Sequence, residues 1–209
     1  ASPEFWMWLG FDVGLGPAAD RPLPLWDEAF VPMRLAAALV DVKHPDGRPV
    51  VRSQHEILAH RLAPEPQERG QRWWLWALWG LGLGGALAWA GRRYPRGTAA
   101  LALPFWTLSG AVGSLLLFLW WGTEHRFAWA NHNLFLLSPL AWLLLPGGVR
   151  LLRGRAPGGW FNGLLTAVAA LAVVGLFAHW LPLAPQRNAH WIALLLPIQL
   201  GLLAGLRRP

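Results

Sequence analysis

Beyond residue 72 the polar positions almost vanish. Apolar runs follow one another at about 73–91, 99–122, 133–149, 160–181 and 189–206, with short polar or arginine-bearing breaks between them. Each run is roughly 17 to 24 residues long, which at about 1.5 Å per residue spans a hydrocarbon layer of about 30 Å. In lipid the backbone must satisfy its own hydrogen bonds, so the pattern predicts membrane-crossing helices. Pro104, Pro139 and Pro197 fall inside the runs and are expected to kink them. Trp73, Trp74, Trp120, Trp121, Trp160 and Trp180 lie near run ends, the depth that amphipathic rings prefer. Gly80, Gly82, Gly84 and Gly85 are expected to let helices approach closely.

Residues 1–70 follow another pattern. Phe5 to Leu9 is apolar, and Gly10, Gly14, Gly16 and Pro17 read as tight turns. Asp27 and Glu28 suit the positive end of a helix dipole and open a helix running to about Leu39. Residues 39–42 and 49–51 flank Pro45-Asp46-Gly47, the pattern of a hairpin with glycine in its turn. The polar, proline-rich stretch 63–70 reads as a linker. The expected fold is mainly α: about five transmembrane helices over 71–209, preceded by a small partial α+β extracytoplasmic segment over 1–70. So short a segment, rich in Gly and Pro, makes a thin core. The absence of an export signal at the first residues suggests that the natural protein begins upstream.

Charge sharpens the partition. Of 11 carboxylates, only Glu124 lies beyond residue 70, and Lys43 is the sole lysine. A soluble surface mixes both signs, so water is not the main solvent of residues 71–209. The net charge of +7 does not imply nucleic acid, because the arginines sit in short groups between apolar runs rather than on one basic face. Arg92, Arg93, Arg96, Arg150, Arg153, Arg155, Arg207 and Arg208 fall on one side of the predicted spans. Arg126 and Arg187 fall on the other, with Arg69 and Arg72 before the first span. Positive residues favour the cytoplasm, so the expected location is a bacterial inner membrane. The C-terminus is then cytoplasmic, and the N-terminal segment and loops 123–132 and 182–188 are periplasmic. The chain has no cysteine, which excludes disulfides, thiolate metal sites and a cysteine nucleophile within it.

The densest polar stretch among the runs is Thr123 to Asn133. It holds Glu124 beside His125, a group that titrates near neutrality, and Asn131, a candidate helix cap. The plainer reading is a loop that binds water and caps the third helix. The functional reading is a polar site at a membrane boundary. Gln186 and Asn188 either hydrogen-bond with this loop or simply start the fifth helix, the second being preferred. Asp12 and Asp20, set among glycines, suit turn and helix caps better than an acid–base pair. His44, His55 and His60 read as surface residues. His179 and His190, near span ends, do not make a matched haem pair. No metal or cofactor is implied. Mid-span positions read as Gly, Ala, Leu, Ser and Trp, which argues against a transporter path.

Three blocks resemble a known family. They are Leu9 to Gly16 with Ala19-Asp20-Arg21-Pro22 and Phe30-Val31-Pro32; Thr123-Glu124-His125 with Asn131, Asn133-Leu134 and Ser138-Pro139-Leu140; and Pro185-Gln186-Arg187-Asn188. Together they are similar to the C-terminal half of Lnb-type bacterial lipoprotein N-acyltransferases, with Val31 and Ser138 standing where Leu and Asn are usual. The resemblance implies a periplasmic, papain-like catalytic domain upstream, acting through a Cys nucleophile and a His base that this sequence does not contain. This chain alone would then be inactive. Its implied partners are that missing domain, membrane lipids and a possible lipoprotein substrate, not nucleic acid. Glu124, His125, Asn131, Asn133, Gln186 and Asn188 become candidates for positioning a lipid headgroup, and Asp12, Gly16, Asp20 and Pro32 structural motif positions. The alternative is a non-catalytic membrane anchor.

Overall fold

A computed structural model describes residues 3–55, 57, 72–181 and 184–207. By contact they fall into two compact units, 1–20 with 71–209, and 21–70. The composition break at residue 70 is therefore not where the first unit divides. Residues 3–20 pack with the membrane helices, because the helix α1 (Pro3–Gly14) carries Asp12 and Val13 into contacts with them. Gly10 and Gly14 lie within α1 rather than in turns.

In the smaller unit the single helix expected from Asp27 to Leu39 is two, α2 (Leu25–Glu28) and α3 (Pro32–Asp41). Proline disfavours the helical region for the residue before it. Val31 is accordingly extended (φ −85°, ψ 113°), and Pro32 begins a new helix. The expected hairpin is reduced to one antiparallel bridge, Lys43 to Pro49, with Gly47 at φ +83° in the turn. Pro49 has no N–H to extend the ladder. The Asp46 carboxylate accepts from the Arg48 backbone N–H and Nε at 3.1 and 2.7 Å, and this holds it below the usual carboxylate range. No strand occurs among the described residues, and the 63–70 linker and His60 lie outside them.

The larger unit is a helical bundle: α4 (Trp73–Arg93), α5 (Pro95–Trp121), α6 (Asn133–Leu136), α7 (Ala141–Leu152), α8 (Phe161–His179) and α9 (Ala189–Leu206). Among the described residues, four stretches are long and apolar enough to cross a membrane: Pro95–Trp121, Asn133–Leu152, Phe161–His179 and Ala189–Leu206. No more than 50% of any span's apolar window is buried in the protein, which leaves a broad oily face for lipid. The helix α4 has 21 residues, but its tryptophans and glycines lower its mean hydropathy. Its packing shows that it runs the same course as α9. A Cβ at Gly80 would meet the Ala193 and Leu194 backbone, one at Gly84 the Pro197 backbone, and one at Gly91 the Gly205 backbone. Contact thus advances in the same direction along both helices, so α4 and α9 are parallel. Gly201 and Gly205 make the reciprocal approach to Gly84 and Leu87, while Gly82 and Gly85 face open space. Two G-x-x-x-G spacings, Gly80/Gly84 and Gly201/Gly205, form this seam.

Pro139 does more than kink the third run. It separates α6 from α7 over residues 137–140, and the freed Leu136 carbonyl accepts from Gln199 Nε2 of α9 at 3.3 Å. Gln199 is buried and lies mid-span, a polar position absent from the expected Gly, Ala, Leu, Ser and Trp inventory. The break exposes a backbone acceptor in an apolar layer, and an unmet acceptor there is costly. The main core joins Trp106 of α5, Leu144 of α7, Phe161 and Leu165 of α8, and Leu202 and Leu206 of α9. Gly147 and Gly148 admit the rings of Phe161 and Trp106 against α7.

Candidate functional site

The site gathers where α1 ends, α5 passes into α6, and α8 passes into α9. Its loops turn sharply. Ala130 has φ +51°, a left-handed conformation rare for a residue with a Cβ, and this folds the chain so that Asn131 points inward. Gly16 is buried, and its N–H donates to the Phe127 carbonyl at 2.7 Å. A Cβ there would strike the Trp129 carbonyl, so only glycine fits this approach.

Four amide side chains meet in this corner, all nearly sealed from solvent: Asn131, Asn133, Gln186 and Asn188. Asn131 Nδ2 donates to the carbonyls of Val13 and Leu15 at 2.8 and 3.1 Å. Its Oδ1 accepts from Asn133 N–H at 2.9 Å and Gln186 Nε2 at 3.0 Å. Gln186 Nε2 also donates to the Leu15 carbonyl at 3.1 Å, and its Oε1 accepts from His132 N–H at 2.7 Å. Asn133 Nδ2 donates to the Val13 carbonyl at 3.0 Å, while its Oδ1 accepts from Asn188 Nδ2 at 3.0 Å. Asn188 Oδ1 pairs with His179 Nδ1 at 3.1 Å. An amide offers two donors and one acceptor oxygen with two lone pairs, and here most of that capacity is spent inside the protein. In a desolvated corner such a network gains strength from the low dielectric and would be costly to break.

Beside it, α1 is held by charge. Asp12 Oδ2 accepts from His190 Nε2 and Trp191 Nε1, both at 2.6 Å. Trp76 of α4 meets His190 edge-on, with centroids 5.7 Å apart, and Trp191 at a tilt, with centroids 5.8 Å apart. Asp20 Oδ2 accepts from the Arg187 backbone N–H at 2.8 Å. The two aspartates are thus separate fasteners and not an acid–base pair. His190, considered from sequence only as half of an unmatched haem pair, is an anchor of α1. Pro32 lies in the smaller unit, where it starts α3.

Glu124 and His125 stand apart from the amides. Both are exposed on the loop after α5. Thr123 closes that helix through its Oγ1, which donates to the Leu119 carbonyl at 2.7 Å, and its own carbonyl accepts from Trp129 Nε1 at 3.1 Å. Gln186 and Asn188, read first as helix-start residues, are instead the second half of the amide network; Asn188 does also precede α9. Asn131 Oδ1 accepts from the Asn133 N–H at the start of α6, while the N-cap position of that helix is His132. His132 is half-buried, and Nδ1 has no partner among the described residues. Burial, and then the neighbouring His179, hold its pKa below the ordinary histidine value. No group of three or more metal-ligating side chains forms among the described residues.

Together these features define a multi-pass helical membrane protein with a polar clasp at one end of its bundle. A family model described as the Lnb transmembrane domain matches residues 73–204. The chain belongs to that family. No curated protein and no solved structure matches it.

Proposed function

We propose that this chain is the membrane-embedded part of an Lnb-type acyltransferase that acts on lipid or lipoprotein at the periplasmic face of the inner membrane. In this reading it anchors a catalytic domain and forms a lipid-facing surface. The observation that carries it is the buried amide network. It fastens Val13 and Leu15 to the starts of α6 and α9, and the separate Asp12 and Asp20 contacts hold the same stretch. Acyl transfer needs reacting groups held to within a fraction of an ångström, and a rigid clasp at the membrane boundary provides such a base. The four amides then act as positioning residues, through the backbone they hold. Direct headgroup contact falls to exposed Glu124, His125 and Arg126 beside the apolar Phe127. Acyl chains would reach this loop laterally along the lipid face without leaving hydrocarbon.

The second reading, a non-catalytic anchor, is favoured by one observation: the amides spend their hydrogen bonds on the protein itself. One set of measurements on the full-length protein separates the two. Asn131→Ala leaves several buried groups unpaired, so it should cost about 2–4 kcal/mol of stability in detergent and lower acyl transfer with it. His125→Ala should leave stability within about 0.5 kcal/mol yet reduce turnover per folded molecule. Unchanged turnover in His125→Ala would reduce the loop to part of an anchor.

A further inference from the structure

At the opposite end of the bundle, the arginines have no acidic side-chain partner among the described residues of 71–209, where Glu124 is the sole Asp or Glu and lies in the far loop. Arg92 Nε donates to the Ala204 carbonyl at 3.2 Å, which fixes this side chain across the α4–α9 seam while using one of its five N–H donors. The Arg93 guanidinium lies 5.8 Å from the Tyr94 ring centroid, and Tyr94 packs edge-on to Trp89 at 5.9 Å. Gly85, Ala88, Trp89, Arg92 and Arg93 line one open groove of about 440 Å³. Their spacing, 85, 88, 89, 92 and 93, is one face of a single helix. A Cβ at Gly85 would meet nothing within 4 Å, so the groove floor is open.

We propose that this groove is a binding site for an anionic phospholipid. The headgroup phosphate lies against Arg92 and Arg93, and an acyl chain runs over Gly85 and Ala88 beside Trp89. The arrangement gives cations at a helix end and an apolar trough leading from them toward mid-membrane. Charge complementarity selects the occupant: two guanidiniums without a carboxylate counter-ion among the described residues of the bundle take an anion from the bilayer. A zwitterionic lipid brings its own cation and satisfies them less well. The site depends neither on the acyl-transfer reading nor on which side of the membrane it faces.

The test uses the full chain purified in mild detergent and exchanged into phosphatidylglycerol and phosphatidylcholine with matched acyl chains. Native mass spectrometry counts the lipid retained. The parent should retain phosphatidylglycerol in preference. The Arg92→Gln/Arg93→Gln double variant should lose that retention about thirtyfold, the worth of two surface cations facing anionic lipid. Arg93→Gln alone leaves the Arg92–Ala204 bond intact and should lose about fivefold. Gly85→Leu fills the trough, keeps both arginines and should lower retention severalfold. Circular dichroism and thermal melts establish that each variant is folded. Equal retention of the two lipids, or parent-like retention in the double variant, would overturn the proposal. So would an unaffected Gly85→Leu or full displacement by millimolar inorganic phosphate, either of which reduces the site to a bare anion contact. A dimer that Gly85→Leu dissociates would make the face a self-interface and overturn it as well.

Discussion

At the scale of single residues, the buried hydrogen bonding at the polar end is carried by uncharged amides and not by the ionisable pair that first draws the eye. Glu124 and His125 are exposed, whereas Asn131, Asn133, Gln186 and Asn188 are buried and paired. His132 lies at the edge of this network. It is half-buried, and its pKa is depressed first by burial and then by His179. A depressed histidine binds fewer protons folded than unfolded at pH values between the two pKa values. Stability from this group is therefore complete above the ordinary value of about 6.5 and is lost as the pH falls through the folded value. Thermal melts in detergent between pH 7.5 and 5.5 should show a falling midpoint. His132→Gln, which cannot charge, should flatten that fall. An identical slope in parent and variant would count against a buried neutral His132.

This residue pattern was only partly legible in the sequence. The polar character of 123–133 and 186–188 stands out against the apolar runs, and Asn131 is recognisable as a polar residue at the start of the third run. The pairing is not recognisable, because Gln186 meets Asn131 and Asn188 meets Asn133 across 55 positions, and His190 meets Asp12 across 178. No local periodicity encodes such distances. Gln199 was missed for a related reason. Its use depends on a carbonyl freed 63 positions away by Pro139.

At the scale of elements, hydrophobic runs placed the helices well, since membrane burial imposes a length and the runs carry it. They could not say which glycines face a neighbour. Four glycines of α4 look alike in sequence, yet Gly80 and Gly84 meet α9 while Gly82 and Gly85 meet nothing. In lipid the hydrophobic effect does not drive helix pairing, so backbone approach and van der Waals contact carry this seam. Gly84→Leu should therefore separate α4 from α9 and lower stability by about 3 kcal/mol or more, a cost characteristic of overpacking against backbone. Gly82→Leu should stay within about 0.5 kcal/mol of the parent in the same detergent melts. Equal effects would mean that the seam does not hold the helices. The smaller unit shows the opposite limit: weakly apolar and punctuated by proline, it gave a split helix and one bridge where the pattern suggested more.

At the scale of the whole molecule, parity of crossings links the two ends of the bundle. The parallel course of α4 and α9 means that an odd number of crossings separates the start of one from the end of the other. The amide clasp and the Arg92–Ala204 contact therefore lie at opposite ends. Arg96 lies against Gly154, which has φ +72°, and this joins the first and third connections at the arginine-rich end. Positive residues are retained on the cytoplasmic side during insertion, so this end should face the cytoplasm and the clasp the periplasm. No cysteine lies within this sequence, so the assignment is directly testable: an introduced thiol is its one label site, read against the unsubstituted parent as background. Glu124→Cys, in an exposed loop, should react with a membrane-impermeant maleimide in intact spheroplasts. Arg155→Cys should react only after lysis. The reverse pattern would place the Glu124 loop in the cytosol, away from any periplasmic acyl donor, and the proposed enzyme role would fail with it. The arginine groove would survive that result, because an anionic lipid can meet it from either leaflet.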